Sequence, residues 1–138
     1  IRFVIGNPDA HTVCLPFKSI NDVENWGSNS GMPLTEVQSS LLEYYRHHFG
    51  ALNCRFGCRE CASACPHDVQ ISTIMRYNYY FENKGQEKYA MEKYAALPGK
   101  QAEICRDCPG YCHDACPYGV LARPMLSMAH ENLSLHHS

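Results

Sequence analysis

The chain has 138 residues, enough for one domain or two small ones. Its formal net charge is −2 and it has no basic run, so a nucleic-acid-binding role has no electrostatic support. No apolar run approaches the roughly 20 residues that span a bilayer, so no transmembrane segment is predicted.

The N-terminal stretch is predicted to form short elements. Residues 1–6 are apolar and fit either a strand or the last turn of a helix. Residues 12–15 have the pattern of a short buried strand that ends at Pro16. Cys14, the one cysteine outside the two groups described below, is predicted to be a core residue, because a free cysteine behaves as a small buried hydrophobe.

Two helices are predicted before residue 50. Ser19 is a good N-cap for a short helix that continues to Trp26. Thr35 and Gln38 have the spacing of a capping box and would open a second helix. The apolar residues of that helix recur at helical spacing and are Val37, Leu41, Tyr45 and Phe49.

Eight of the nine cysteines fall in two quartets, and each quartet ends in Cys-Pro. The first has the spacing Cys-x3-Cys-x2-Cys-x3-Cys-Pro and comprises Cys54, Cys58, Cys61 and Cys65. The second has the spacing Cys-x2-Cys-x3-Cys-x3-Cys-Pro and comprises Cys105, Cys108, Cys112 and Cys116. Three closely spaced thiolates on one loop suit a [4Fe–4S] cubane, so the quartets predict two [4Fe–4S] clusters.

In two-cluster ferredoxins the cysteine before proline ligates the other cluster. On this rule one cluster is predicted on Cys54, Cys58, Cys61 and Cys116. The other is predicted on Cys105, Cys108, Cys112 and Cys65. Each quartet has one residue more than the standard Cys-x2-Cys-x2-Cys-x3-Cys-Pro run, which leaves the pairing open. Zinc, which usually takes two separated Cys-x2-Cys pairs, and a disulfide framework are the weaker alternatives.

Two arginines, Arg55 and Arg59, lie inside the first quartet. A cluster with four thiolates is anionic, so a positive charge nearby would raise its reduction potential. Two solvated arginines are an equally good interpretation of the same residues.

Roughly forty residues separate the quartets, far more than the short connector of small ferredoxins. They predict one helix from Ser72 to Lys84 and another from Gln86 to Leu97. A third helix follows the second quartet, and the tail 135–138 is expected to fray. The predicted fold is mainly α: a helical ferredoxin-type domain with two [4Fe–4S] cluster motifs at 51–138, preceded by a separate piece at 1–50. The apolar face of the third helix comprises Leu126, Ala129 and Leu133.

Four stretches carry a family resemblance beyond the cysteines: Ile-Met-Arg-Tyr-Asn-Tyr-Tyr at 74–80, Glu-Lys-Tyr-Ala-Met at 87–91, Cys-Pro-Tyr-Gly-Val at 116–120 and Ala-His-Glu-Asn-Leu-Ser-Leu at 129–135. With them, the chain from about Asp68 onward resembles the C-terminal iron–sulfur extension of one branch of the aldo/keto reductase family. Residues 1–50 resemble, more loosely, the end of that family's (β/α)8 barrel. The resemblance makes 2–5 the end of the seventh helix, 12–16 the eighth strand and 19–26 the start of the eighth helix.

The resemblance also bears on catalysis and on a nicotinamide cofactor. The family's catalytic Asp, Tyr, Lys and His come from earlier barrel strands, so no catalytic residue is expected here and enzymatic activity stays open. The loop after the eighth strand implies nicotinamide contacts from Ser19, Glu24 and Asn25. That loop lacks the usual Arg and has Phe17 where this branch has Gly, which weakens the case for NAD(P).

Two functions follow as hypotheses. The first is an iron–sulfur electron-transfer module of an aldo/keto-reductase-like oxidoreductase, which exchanges single electrons with a redox partner protein or its own barrel domain. The second is a non-enzymatic, ferredoxin-like electron-transfer subunit docked in a larger redox complex. Clusters that serve as structural staples or redox sensors are a third reading. Cluster assembly needs reduced thiols, so a cytoplasmic location is expected, with later export of the folded holoprotein left open.

Overall fold

The computed structural model describes residues 1–99 and 101–134. Within these ranges the protein is mainly helical and has no β-strand, which confirms the predicted mainly-α class. The chain divides into two compact units, Ile1–Tyr45 and Arg46–Ser138, so the boundary predicted at residue 50 falls inside the second unit. No helix in the described ranges is both long and apolar enough to cross a membrane. The tail predicted to fray lies outside the described residues.

The first unit contains α1 (Arg2–Ile5), α2 (Ile20–Gly27) and most of α3 (Glu36–Phe49). At the start of α2 the Asp22 N–H donates to the Ser19 hydroxyl at 3.2 Å, and the Ser19 N–H donates to the Asp22 carboxylate at 3.0 Å. At the start of α3, Thr35 and Gln38 exchange the two hydrogen bonds of the predicted capping box. The N-terminal ambiguity is resolved as helix, and both predicted helix starts are confirmed.

Two predictions for the first unit are wrong. Residues 11–18 have no regular secondary structure, so the strand predicted at 12–16 is not formed. A strand needs a neighbouring strand for its backbone hydrogen bonds, and the described part of the chain contains none. Cys14 is exposed rather than buried. Without a sheet, the alternation that would turn its side chain toward a core is lost.

The buried core lies in the second unit, and no described residue before Val69 is buried. It is built by α4 (Ile71–Lys84), α5 (Glu87–Ala95) and α7 (Ala122–Leu133). The predicted apolar face of α7 is confirmed, since Leu126, Ala129 and Leu133 are all at most 1% exposed. Each large aliphatic side chain buried in this way contributes about 1.5–3 kcal/mol.

The reversal between α4 and α5 depends on one glycine. Gly85 ends α4 with φ 60° and ψ 34°, a left-handed conformation that other residues rarely adopt. The Gln86 N–H then donates to the Tyr80 carbonyl at 3.1 Å, which satisfies a carbonyl of the last turn. The turn lets α5 fold back on α4 and carries the chain toward the second quartet.

One buried tyrosine holds the segment that leads into the second quartet. The Tyr94 hydroxyl accepts from the Ala102 N–H at 2.8 Å and lies 2.7 Å from Nδ1 of His130. Ala102 begins a short 3-10 helix, Ala102–Arg106, so α5 and α7 together fix the backbone that carries Cys105.

We expect Tyr94→Phe to lower the melting temperature by several degrees. The change removes the acceptor for the buried Ala102 N–H, and such an unsatisfied donor costs about 1–3 kcal/mol. Thermal denaturation followed by circular dichroism measures the effect. Tyr89→Phe, at a tyrosine of the same helix that is 47% exposed, is the matched control. Equal melting temperatures for the two variants would show that the hydroxyl contributes nothing.

Candidate metal centre

All eight quartet cysteines lie in the second unit as free thiols. The first quartet occupies a loop that includes a short 3-10 turn, Ala62–Ala64. The second quartet begins in the Ala102–Arg106 helix and continues through the single turn of α6 (Tyr111–Asp114). Cys105 and Cys112 are buried and the other six are partly buried. The thiols therefore lie beneath the surface of two loops that the helical core supports.

The first three thiols of the first quartet lie near the last thiol of the second. Burial, followed by the negative charges of Cys61, Cys58 and Cys116, raises the pKa of Cys54 to about 11. Burial also raises the pKa of Cys61, and the charge of Cys116 is the next largest cause. We call these four residues, Cys54, Cys58, Cys61 and Cys116, the first thiol set.

The remaining four thiols form a second neighbourhood. Burial raises the pKa of Cys105 to about 11, followed by the effects of Cys112, Cys65 and Cys108. One pocket is lined by all four of these thiols, with Val69, Ile71 and Leu126 among its apolar walls. We call Cys65, Cys105, Cys108 and Cys112 the second thiol set.

The two thiol sets adjoin each other. Burial raises the pKa of Cys112 to about 11, and the next largest cause is Cys61 of the first set. Cys65 of the second set likewise raises the pKa of Cys61. A negative charge on one thiol set therefore raises the pKa of thiols in the other.

No three or more His, Cys, Asp and Glu side chains among residues 1–99 and 101–134 are arranged to hold a single metal ion. A single ion draws its thiolates close around it, whereas a cubane holds them at its corners, farther apart. The finding concerns a single-ion site, and the predicted cluster ligands stay a prediction.

The residues implied for nicotinamide binding lie in the first unit, on or beside α2. The Ser19 hydroxyl is engaged as the N-cap, and Glu24 and Asn25 are exposed. Asn25 lines a pocket with Arg2 and Trp26, and that pocket includes neither Ser19 nor Glu24. These residues are not gathered into one site, and nicotinamide binding stays a prediction.

Reasoning from sequence missed one residue of the site. Arg123 lines the pocket of the second thiol set, and its charge opposes the effect of burial on the pKa of Cys105. It lies outside both quartets, in the first turn of α7, so cysteine spacing does not point to it. Its position in the first turn of the helix that follows the second quartet was the one available signal.

Comparison with protein-family models, curated proteins and solved structures finds no significant match to this chain. The resemblance to the aldo/keto reductase extension therefore stays a prediction from sequence. The geometry of the two thiol sets is the firmer basis for a function.

We expect the buried thiols of the iron-free protein to alkylate slowly at pH 8. Cys54, Cys105 and Cys112 have pKa values raised from 9.0 to about 11. Their thiolate fraction is thus roughly 100-fold below that of an ordinary thiol. A thiolate of higher pKa is more nucleophilic, so the rate should fall by about tenfold or more. Peptide mass spectrometry after timed iodoacetamide labelling measures each site.

Unfolding in urea is the control for this labelling experiment, because it should bring the three thiols to one common rate. Slow labelling that persisted in urea would contradict the prediction.

The raised pKa values of these three thiols also determine how the stability of the iron-free protein depends on pH. The unfolded chain loses these protons first, so the free energy of unfolding should fall as the pH rises from about 9 to about 11.

Proposed function

We propose that the second unit is an electron-transfer module that holds two [4Fe–4S] clusters, one on each thiol set. The observation that carries the proposal is the crossed grouping of the thiols. Each set combines three cysteines of one quartet with the Cys-Pro cysteine of the other. That is the ligand pattern of two-cluster ferredoxins.

The donor atoms fit such clusters. Thiolates are the usual ligands of cubane iron–sulfur clusters, and the described structure contains no disulfide that would consume them. Burial disfavours the bare thiolates, as the raised pKa values of Cys54 and Cys105 indicate, so metal binding would release protons and favour the fold. When bound, the clusters would supply one-electron chemistry. The chain's own residues would hold them, limit the access of water and set their potentials.

The closeness of the two sets supports a relay rather than two isolated structural sites. Cys61 and Cys112, one from each set, interact directly through their charges. Structural staples have no need to lie side by side, whereas electron transfer becomes faster as the centres approach. This proximity favours the electron-transfer reading over the staple reading.

The finer assignment is that the second unit is a ferredoxin-type domain of an aldo/keto-reductase-like oxidoreductase. In this proposal the first unit is the end of the barrel, and the electron partner is a redox protein or the rest of that barrel. Its support is the sequence resemblance, most extensive from Asp68 onward. The described part of the first unit has no strand, so the barrel portion of the proposal depends on sequence alone.

A ferredoxin-like electron-transfer subunit, without enzymatic activity of its own, is the second candidate. One observation favours it: the buried residues and the eight thiols all lie in the second unit. A module with its own core and its own ligands does not need a barrel in order to carry electrons. The two candidates share the same clusters and differ in what the module serves.

The test is the iron and acid-labile sulfide content of anaerobically purified protein, followed by an EPR-monitored reductive titration. The proposal expects about eight irons and eight sulfides per chain, with reversible reduction of both clusters. Zinc without sulfide would contradict the proposal and would indicate a structural metal site instead. Iron and sulfide without reversible reduction would leave the staple reading in place of the relay.

A further inference from the structure

One arginine is held against the first thiol set by contacts on two sides. Arg55, which follows Cys54, donates from Nη1 to the Gly50 carbonyl at 3.2 Å. Its guanidinium lies 3.5 Å from the centre of the Tyr118 ring, close enough for a strong cation–π contact. Tyr118 comes just after Cys116, the thiol that the second quartet contributes to this set. Arg55 therefore bridges the two segments that supply the first set.

A second arginine has the equivalent place in the second thiol set. Arg123 donates from Nε to the Cys105 carbonyl at 3.3 Å and from Nη2 to the Arg106 carbonyl at 2.8 Å. A Cβ atom at Gly110 would stand 3.1 Å from Cδ of Arg123. The glycine thus leaves room for the arginine stem where it passes over the second quartet.

Both side chains carry a fixed positive charge that acts on one thiol set. Arg55 directly follows Cys54 and is half-buried against Tyr118, and Arg123 is bonded to the Cys105 carbonyl and lines the pocket of the second thiol set. A cation that favours a thiolate also favours any further negative charge at the same place. Reduction adds one negative charge to an iron–sulfur cluster, and nearby charge is one of the factors that set its potential.

We propose that Arg55 and Arg123 are a matched pair of positioning residues, one for each thiol set, and that each raises the reduction potential of the cluster on its own set. This inference rests on the proposed function. It also separates Arg55 from Arg59, which the sequence alone left equivalent. Arg59 lies in the same loop but is exposed, so water and salt screen its charge.

The experiment is an EPR-monitored redox titration of the complete, cluster-loaded protein. Arg55→Gln and Arg123→Gln remove the charge while keeping a polar side chain of similar reach. Each should lower one of the two midpoint potentials, a different one in each variant, and the double variant should lower both. Arg59→Gln is the matched control and should leave both potentials close to those of the parent protein.

Iron and sulfide are measured on every sample, which separates the two possible failures. A parent protein without clusters would overturn the proposed function, and this inference with it. Full iron content with unchanged potentials in Arg55→Gln and Arg123→Gln would overturn this inference alone. An Arg59→Gln shift as large as that of Arg55→Gln would also overturn it. If a glutamine variant loses iron, the lysine variant at the same site is titrated instead. Lysine keeps the positive charge, so the midpoint potential should stay near the parental value. A potential clearly below the parental value in the lysine variant would contradict the proposal.

Discussion

Replacing Cys54 and Cys116 together with serine is expected to leave one cluster, whereas replacing Cys54 and Cys65 is expected to remove both. The first pair belongs to a single thiol set, so the other set keeps its four ligands. The second pair belongs to a single quartet but to both sets, so each set loses a ligand. Iron content should be about four per chain in the first variant and near zero in the second.

The alternative pairing makes the opposite prediction. If each quartet held its own cluster, Cys54→Ser with Cys65→Ser would keep about four irons, and Cys54→Ser with Cys116→Ser would keep none. Cys14→Ser, at an exposed cysteine outside the quartets, is the control for the loss of a thiol as such. Iron and sulfide analysis of the three variants, loaded under the same anaerobic conditions, distinguishes the two pairings.

Replacing Leu126 with alanine is expected to lower the melting temperature by about 10 °C or more. Leu126 is fully buried, and its side chain also lines the pocket of the second thiol set. A Leu→Ala change in a core costs about 2–5 kcal/mol, since the site does not collapse fully around the cavity. Each kcal/mol corresponds to about 4–8 °C in a domain of this size class. Circular dichroism under anaerobic conditions, at one fixed scan rate, measures the shift.

Met128→Ala is the control, because Met128 lies on the same helix and is 59% exposed. An exposed substitution away from special contacts usually changes stability by about 0.5 kcal/mol or less. If the Leu126→Ala and Met128→Ala variants had the same melting temperature, α7 would not be part of the cooperative core. If the protein holds the proposed clusters, their loss on heating would make unfolding irreversible, so the comparison uses melting temperatures rather than equilibrium free energies.

Helix starts and ends could be predicted because they depend on residues close together in sequence. The capping box of Thr35 and Gln38 lies within one turn, and Gly85 ends α4 through its own backbone conformation. The apolar stripe of α7 was equally readable, since helical spacing alone determines which residues share a face. Such features need no knowledge of the rest of the fold.

The strand at residues 12–16 could not be judged in the same way. Its apolar pattern is local, but a strand forms only where another strand pairs with it. Cys14 was predicted to lie in a core because a free cysteine is usually buried, but here it lies in the same irregular segment and is exposed. The cysteine quartets could be recognised because the spacing of their cysteines is a local property of the sequence. The role of Arg123 could not, because it contacts the Cys105 carbonyl only through the packing of α7.

If the crossed thiol sets hold clusters as proposed, they also impose an order on cluster assembly during synthesis. When the first quartet leaves the ribosome, its first three cysteines still lack Cys116, and Cys65 still lacks all three of its neighbours. Neither site can be completed until α4 and α5 have been made and the second quartet has followed them. On this proposal, the two helices have to bring the quartets together before four thiols can hold a cluster. A nascent chain that stops in α5 carries only the first quartet, so it contains neither of the two complete four-thiol sets.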